Sequence, residues 1–372
     1  MTIAPAVAAP TASGDDVPAA ASAAAAPGPA AVADEGGQAA STAVVAPDTF
    51  GQEPVLASEA DLEAAAPDQD VLDYWTPERM AQAQPADVVA GSEQVVAASD
   101  NVADGEEGTS APAVPAADVL AQAEAAGVFD DDVQTVAAGS DEEILAAQRV
   151  TNFSITNGKL FFNGYGQGNS YCSASAVNTP SKRVIITAGH CVYSHSDGGW
   201  MRNLVFVPGY DATRADPDPV GIWTARTLRT FNSWITYRDM TYDVGFVTLN
   251  NGGDHGRRIV DAVGGHGLIW NSPMAVDVSI FGYPSNKLNP YGRYTMWACW
   301  GGTHADGPRV SIVGCDFGRG ASGGPWLQYY NNDSGVGYVN SVTSTWRPAT
   351  YQNWGPYFTS QMKIMLDATI SD

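Results

Sequence analysis

The sequence has little positive charge in its N-terminal part. Up to Gln148 it contains 27 acidic residues and a single basic one, Arg79, whereas the remainder has 14 acidic and 17 basic residues. The formal net charge of −23 therefore belongs to the first part of the chain. We accordingly divide the chain into residues 1–148 and residues 149–372. Neither part contains the stripe of basic residues that is typical of nucleic-acid binding, so we expect no nucleic-acid partner.

Residues 1–148 also lack cysteine and contain one Trp and one Tyr, both within Asp73-Tyr74-Trp75. So little aromatic and large aliphatic surface cannot offset the loss of chain entropy on folding. We therefore expect a disordered, acidic pro-region or linker, and the alternative is a solubilising tail without a role in activity. Two short helices are predicted within it. One has Thr76 as its N-cap and Pro77 at its first position, and the other runs from Ala116 to Ala126.

Long apolar runs are absent as well. No segment contains the ~20 apolar residues that a membrane-spanning helix needs, so we expect no membrane partner. Met1 to Gly14 contains no Lys or Arg, so no secretory signal is recognised there. A P-loop is also missing, and we expect no cofactor.

Histidine is scarce, and its distribution excludes one class of enzyme. Gly320-Ala321-Ser322-Gly323-Gly324 fits the G-x-S-x-G turn of α/β-hydrolases, in which the catalytic histidine follows the serine. All five histidines of this chain precede Ser322. The order present is His190, within Thr187-Ala188-Gly189-His190-Cys191, then Asp243, and then Ser322. A histidine can accept the proton of a serine hydroxyl, and a carboxylate can orient that histidine.

These motifs resemble those of the chymotrypsin-like serine proteases, in particular the bacterial secreted branch that includes the glutamyl endopeptidases. The resemblance covers roughly residues 155 to 372. It implies an all-β fold with two antiparallel β-barrels, an active site in the cleft between them and a C-terminal helix, preceded here by the disordered N-terminal region. It also implies a secreted serine endopeptidase in which His190 is the base, Asp243 orients it and Ser322 is the nucleophile. The backbone N–H groups of Gly320 and Ser322 would form the oxyanion hole.

The pattern of short strands agrees with this fold class. Brief runs rich in β-branched and aromatic residues are separated by Gly-rich turns, which is typical of barrels and sandwiches. The predicted strands are 159–163, 172–177, 183–187, 204–208, 222–231, 244–249, 276–282, 294–300, 311–315, 325–330 and 336–344. A helix is predicted from Ser360 to Asp367.

The four cysteines favour an oxidising compartment. Among three connectivities, the resemblance selects Cys172 with Cys191 and Cys299 with Cys315. A zinc site is the rival interpretation, but the sequence contains no C-x-x-C, and we expect no metal in the active site. A loop containing Asp211, Asp216 and Asp218 could bind calcium or be a solvated turn.

Substrate recognition is less well marked. Asp316 lies six residues before Ser322, where trypsin-like proteases select Lys or Arg, but it could equally be a turn residue. Ser341 and Val342 are expected to bind an extended substrate through their backbones. We expect protein or peptide substrates and a monomeric enzyme.

Ala321 stands where animal zymogens of this family carry an aspartate, so activation must differ from theirs. We expect removal of the acidic segment between Ala138 and Ile155. The alternative function is a catalytically inactive, protease-like binding or surface protein.

Overall fold

The computed structural model describes residues 53–58, 61, 68–86, 103–129, 134–137, 154–164, 168–287 and 294–370. All of them belong to one compact unit, Pro47–Asp372. Within these ranges, no helix is long and apolar enough to cross a membrane. The predicted boundary at residue 148 and the predicted cleavage region lie largely outside the described residues.

Several segments of the N-terminal part are ordered against the rest of the chain. Their elements are β1 (Pro54–Leu56), α1 (Asp68–Tyr74), α2 (Pro77–Gln82), β2 (Gln84–Pro85), β3 (Gly108–Thr109), α3 (Ala117–Ala125) and β4 (Gln134–Ala137). These described segments differ from the disorder that the composition predicts. The physical reason is that each strand pairs its backbone with a strand of residues 149–372, so these segments rely on another surface for most of their burial.

Both predicted helices of this region are present. Thr76 caps α2, its hydroxyl accepting the Arg79 N–H at 3.4 Å, and Pro77 is the first helical residue. Trp75, just before this cap, is 2% exposed and belongs to the same hydrophobic cluster as residues of the first barrel. The other helix, α3, lies within the predicted range of residues 116–126.

The first barrel is closed. Its region contains β5 (Asn157–Gly164), β6 (Gly168–Val177), β7 (Val184–Thr187), β8 (Tyr193–Ser194), β9 (Gly199–Trp200), β10 (Arg202–Pro208), β11 (Trp223–Phe231), α4 (Asn232–Tyr237), β12 (Gly245–Leu249) and α5 (Ile259–Val263). Six strands follow the order β11-β10-β5-β6-β7-β12, and β12 pairs again with β11. Antiparallel pairing of all six buries one row of side chains from each strand inside the barrel.

The second half contains the remaining strands and the C-terminal helix. They are β13 (Gly267–Trp270), β14 (Asp277–Gly282), β15 (Trp297–Gly302), β16 (His304–Asp306), β17 (Arg309–Val313), β18 (Pro325–Asn331), β19 (Val336–Val342), β20 (Thr345–Arg347), β21 (Gln352–Pro356) and α6 (Gln361–Asp367). One sheet has the order β3-β13-β19-β18-β14-β15-β4, and another the order β16-β17-β21-β20. The predicted fold class, two barrels followed by a C-terminal helix, is confirmed.

Candidate active site

His190 lies on a tight turn at the end of β7. The strand ends at Thr187, and Gly189–Cys191 form one turn of 3₁₀ helix. A Cβ on Gly189 would lie 3.1 Å from the Asp243 carboxylate and 3.0 Å from the Thr230 hydroxyl, so a larger residue there would require these side chains to shift by a few tenths of an ångström. Cys191 forms a disulfide with Cys172 of β6, which ties the histidine turn to the neighbouring strand.

Asp243 is fully buried and faces His190. Its carboxylate accepts the backbone N–H of His190 at 2.8 Å and contacts the imidazole Nδ1 at 2.9 Å. The Ser344 hydroxyl donates a third hydrogen bond, 2.6 Å long, to Oδ2. Burial by itself raises the pKa of Asp243, but His190 and these hydrogen bonds outweigh it and hold the pKa below its ordinary value. The carboxylate is therefore ionised and fixes the orientation of the imidazole.

Ser322 lies on a glycine-rich turn that is packed against β6. The Ser173 N–H donates to the Ser322 carbonyl at 2.7 Å, and the Ser173 hydroxyl donates to the Gly320 carbonyl at 2.9 Å. Gly320 and Gly323 have φ values of +89° and +80°, in the region that favours glycine. The turn therefore has a conformation that other residues would adopt only with strain.

Two backbone N–H groups on this turn remain available. Among the described residues, the N–H groups of Gly320 and Ser322 make no hydrogen bond, whereas that of Ala321 donates to Gly318 O and that of Gly323 to Thr343 O. The available groups are those expected to form an oxyanion hole. A pair of donors without other partners on a largely buried turn can stabilise a negative charge that develops on a substrate oxygen.

The Nε2 atom of His190 is also without a partner. It is buried and makes no hydrogen bond within the described part of the chain. Catalytic hydrogen bonds are often long before substrate binds. His190 and Ser322 are 8% and 7% exposed, respectively, so both retain limited access to solvent. Nε2 is thus the imidazole atom that is free to accept a proton.

Ser341 and Val342 are fully buried in β19, and the expectation that their backbones bind substrate stays a prediction. The Ser341 hydroxyl donates to Pro356 O at 2.8 Å. In the pairing of β19 with β18, Ser341 lies opposite Trp326 and Val342 opposite Pro325. Sequence reasoning missed Ser344, which precedes β20 and contacts Asp243, because an isolated serine has no pattern that marks it.

Asp316 lies beside β20 but is engaged by other groups. Its carboxylate accepts Trp346 Nε1–H at 2.8 Å and the Asn286 amide at 3.1 Å, and the Lys287 ammonium lies 3.6 Å away. Burial lowers the pKa of Lys287, and the nearby carboxylate opposes this effect. Asp316 is thus already paired with Lys287 within this loop, and its selection of a basic substrate side chain stays a prediction.

The described residues contain one group that could be considered for a metal: Cys172, His190 and Cys191. Its two sulfur atoms are bonded to each other, so neither is a thiolate ligand. In the acidic loop, the Asp211 carboxylate already accepts hydrogen bonds from Thr213 and Arg214.

A comparison with protein-family profiles finds no match. Among solved structures, the thermostable serine protease AL20 from an extremophilic microorganism is 29% identical, with a TM-score of 0.52, over 59% of this chain and 99% of that one. The protease Anisep from Arthrobacter nicotinovorans is also 29% identical, with a TM-score of 0.52, over 59% of this chain and 97% of that one.

The chain has the chymotrypsin-like fold of these two serine proteases. These structures confirm the resemblance that the motifs indicate, because the alignments with this chain cover almost the whole length of both proteases. The chain also resembles a protein named extracellular metalloprotease from Bacillus subtilis strain 168, with 29% identity over 132 residues. That alignment covers 34% of this chain and 36% of the relative, so the chain spans about a third of the relative's length.

Proposed function

We propose that the protein is a secreted serine endopeptidase with His190, Asp243 and Ser322 as its catalytic triad. The observation that carries the proposal is the buried pairing of His190 with the Asp243 carboxylate, beside a turn with two available N–H groups. AL20 and Anisep, two structural neighbours that are aligned over 97% or more of their length, are named proteases. Its substrates are proteins or peptides, and it acts as a monomer without a cofactor.

In the proposed mechanism, the Ser322 oxygen attacks the carbonyl carbon of the substrate while its proton passes to His190 Nε2. The carbonyl oxygen becomes an oxyanion and accepts hydrogen bonds from the N–H groups of Gly320 and Ser322. Asp243 stabilises the imidazolium through Nδ1. The imidazolium then protonates the leaving amine, the C–N bond breaks and an acyl-enzyme remains, which water hydrolyses by the same proton transfers in reverse order.

Secretion is supported by the chemistry of the cysteines. All four form disulfides, Cys172 with Cys191 and Cys299 with Cys315, as the resemblance implies. Disulfides persist in oxidising compartments, and the Bacillus relative is named extracellular. We therefore place the working protein outside the cytoplasm.

We also propose that residues 1–148 are a pro-region that restrains the protease until it is removed. In support, β2 pairs with β6 at Ser170 and Tyr171, and the Ala86 N–H donates to Tyr171 O at 2.9 Å. Tyr171 adjoins Cys172, which is bonded to the residue after His190. The segment around β2 thus covers a strand edge beside the active site, where an extended substrate would otherwise have access.

Hydrolysis of an unstructured protein such as casein tests the proposed activity. We expect a serine-directed sulfonyl fluoride to abolish hydrolysis and a metal chelator to leave it unchanged, because the nucleophile is a side-chain hydroxyl. Inhibition by the chelator without inhibition by the sulfonyl fluoride would contradict the proposal. The alternative, an inactive protease-like binding protein, predicts no hydrolysis by full-length or truncated protein.

A further inference from the structure

Strand β6 contacts the nucleophile turn through two residues on one face. Tyr171 and Ser173 are two positions apart, so their side chains point to the same side of the strand. The Ser173 hydroxyl donates to Gly320 O and accepts the N–H of Tyr283 at 2.9 Å. One hydroxyl therefore links the nucleophile turn to β6 in the first barrel and to the segment that follows β14 in the second.

The Tyr171 ring sets a second limit on this turn. A Cβ built on Gly320 would lie 2.3 Å from the ring, so the ring occupies the space beside the Gly320 Cα. Tyr171 is 0% exposed, and its neighbours therefore determine where the ring lies. A shift of this ring would change the space available to the backbone at Gly320, whose N–H is one of the two oxyanion donors.

Lys159 also lies over the Tyr171 ring. It is opposite Ser173 in the β5–β6 pair and is 1% exposed. Its Nζ is 3.8 Å from the centroid of the Tyr171 ring. Three further rings surround the ammonium at 4.9 to 5.4 Å, those of Tyr210, Phe161 and Tyr283. Cations are attracted to the faces of aromatic rings, and more strongly where water is excluded.

We propose that Lys159, Tyr171 and Ser173 are positioning residues for the oxyanion hole. The Lys159 ammonium draws rings from both barrels together and fixes Tyr171, and Tyr171 and Ser173 hold the Gly320 turn so that its two N–H groups point at one place. Donors of this kind accelerate a reaction only if they are already oriented before charge develops. This inference rests on the proposed protease function, since it assigns a role in that reaction.

The first test compares Lys159→Met and Lys159→Arg, assayed on a peptide substrate after removal of the pro-region. Lys159→Met keeps the length of the side chain but removes its charge, and we expect kcat to fall by about 10- to 100-fold with KM within about twofold. A peptide aldehyde, which forms a tetrahedral adduct with the serine, should bind more weakly by a similar factor. Lys159→Arg retains a cation, and we expect it to recover most of kcat.

The second test uses Ser173→Ala, with Thr156→Val as its matched control. Thr156 is also buried and donates to a backbone carbonyl, that of Val263, away from the nucleophile turn. Thr156→Val loses one buried hydrogen bond and Ser173→Ala loses two, so both variants lose some stability. We expect only Ser173→Ala to lower kcat and aldehyde affinity, by about tenfold.

Three outcomes would overturn the proposal. The first is a Ser173→Ala variant with the kcat and aldehyde affinity of Thr156→Val. The second is a Lys159→Met variant that folds and keeps full kcat, and the third is a Lys159→Arg variant that folds but is no more active than Lys159→Met. Stoichiometric labelling of Ser322 in the parent protease by a serine-directed probe is measured alongside. Its absence would reject the proposed function, whereas its presence with unchanged variants would reject only the positioning role.

Discussion

Asp243 determines the electrostatics of the active site at the scale of single residues. A fully buried carboxylate is costly unless every oxygen has partners, and Asp243 has the His190 N–H, the His190 ring and the Ser344 hydroxyl. These partners lower its pKa despite burial. Its ionised form contributes stability above the unfolded pKa near 3.8, and this contribution is lost as pH falls through the lower folded value.

Ser344→Ala removes one of these partners without touching the nucleophile. We expect kcat/KM to fall about tenfold with little change in KM, because the hydrogen bond stabilises the carboxylate that faces the imidazolium. Steady-state kinetics on a peptide substrate measure this effect. Ser341→Ala also removes a buried hydroxyl, but from Pro356 O. Equal losses in the two variants would indicate that Ser344 acts only through packing.

Asp218 gives a prediction for the pH dependence of stability. Burial, followed by the neighbouring Asp216, raises its pKa to about 6. Because the folded pKa exceeds the unfolded one, the contribution of Asp218 is present below pH 4 and is lost as pH rises through about 6. Asp218→Asn should therefore raise the free energy of unfolding at pH 7.5 by about 1 kcal/mol, after allowance for partial solvent exposure. Urea denaturation at pH 5 and pH 7.5 measures this difference.

The control for that experiment is Asp277→Asn, which removes a charge from an exposed position in the second half of the chain. We expect no comparable gain from it. A decrease in stability of Asp218→Asn at pH 7.5, or a gain of the same size at both pH values, would contradict the assignment.

At the scale of elements, short segments of the N-terminal part complete sheets that begin elsewhere. Strand β1 pairs with β11, β3 with β13 and β4 with β15, and each adds an outer strand to its sheet. The sequence predicts α2 and α3 from local capping and composition, but such edge pairing has no local signature. A run such as Gln84-Pro85 carries no strand pattern, so its position depends on the barrel that receives it.

Trp75 is the main apolar anchor of the segment around α1 and α2. It is 2% exposed, its Nε1–H donates to Asn203 O at 2.7 Å, and its ring lies 5.5 Å from that of Phe161. We expect Trp75→Ala to weaken docking of the segment by about 3–5 kcal/mol. If the pro-region restrains the protease, uncleaved Trp75→Ala protein should react faster with a serine-directed probe than the uncleaved parent does.

Leu120→Ala is the control, because Leu120 is 37% exposed on α3. We expect it to react at the parental rate. A Trp75→Ala protein with the reactivity of the parent, despite faster proteolysis of residues 68–86, would show that the docked segment does not restrain the site.

On the scale of the whole molecule, the two barrels are held together by buried contacts at the active site. The hydrogen bond from the Tyr283 N–H to the Ser173 hydroxyl crosses between the barrels. The contact of the Lys159 ammonium with the Tyr283 ring crosses between them as well. The sequence motifs predict the histidine turn and the nucleophile turn, because each has a residue pattern that its geometry requires, whereas they predict the two barrels only through the family resemblance. They cannot reveal Ser344 or Lys159, since an isolated serine or lysine has no pattern until packing assigns its neighbours.

The Cys299 and Cys315 disulfide closes a short loop with a sequence separation of 16 residues, next to Asp316. We expect the double variant Cys299→Ala and Cys315→Ala to lose about 3 kcal/mol of unfolding free energy, because the unfolded chain gains the entropy of the opened loop. Guanidinium denaturation of the parent and the double variant gives the difference. A loss well under 1 kcal/mol would indicate that the loop is held by its hydrogen bonds alone.

The central claim is that Ser322 is a nucleophile activated by His190, and labelling with a fluorophosphonate tests it most directly. Protein lacking residues 1–148 is labelled and the modified residue is mapped by mass spectrometry, with Ser322→Ala and His190→Ala as comparisons. We predict one modified residue, Ser322, no labelling of Ser322→Ala, and labelling of His190→Ala slower by about 10³-fold. A label on another residue, or His190→Ala labelled at the parental rate, would contradict this account.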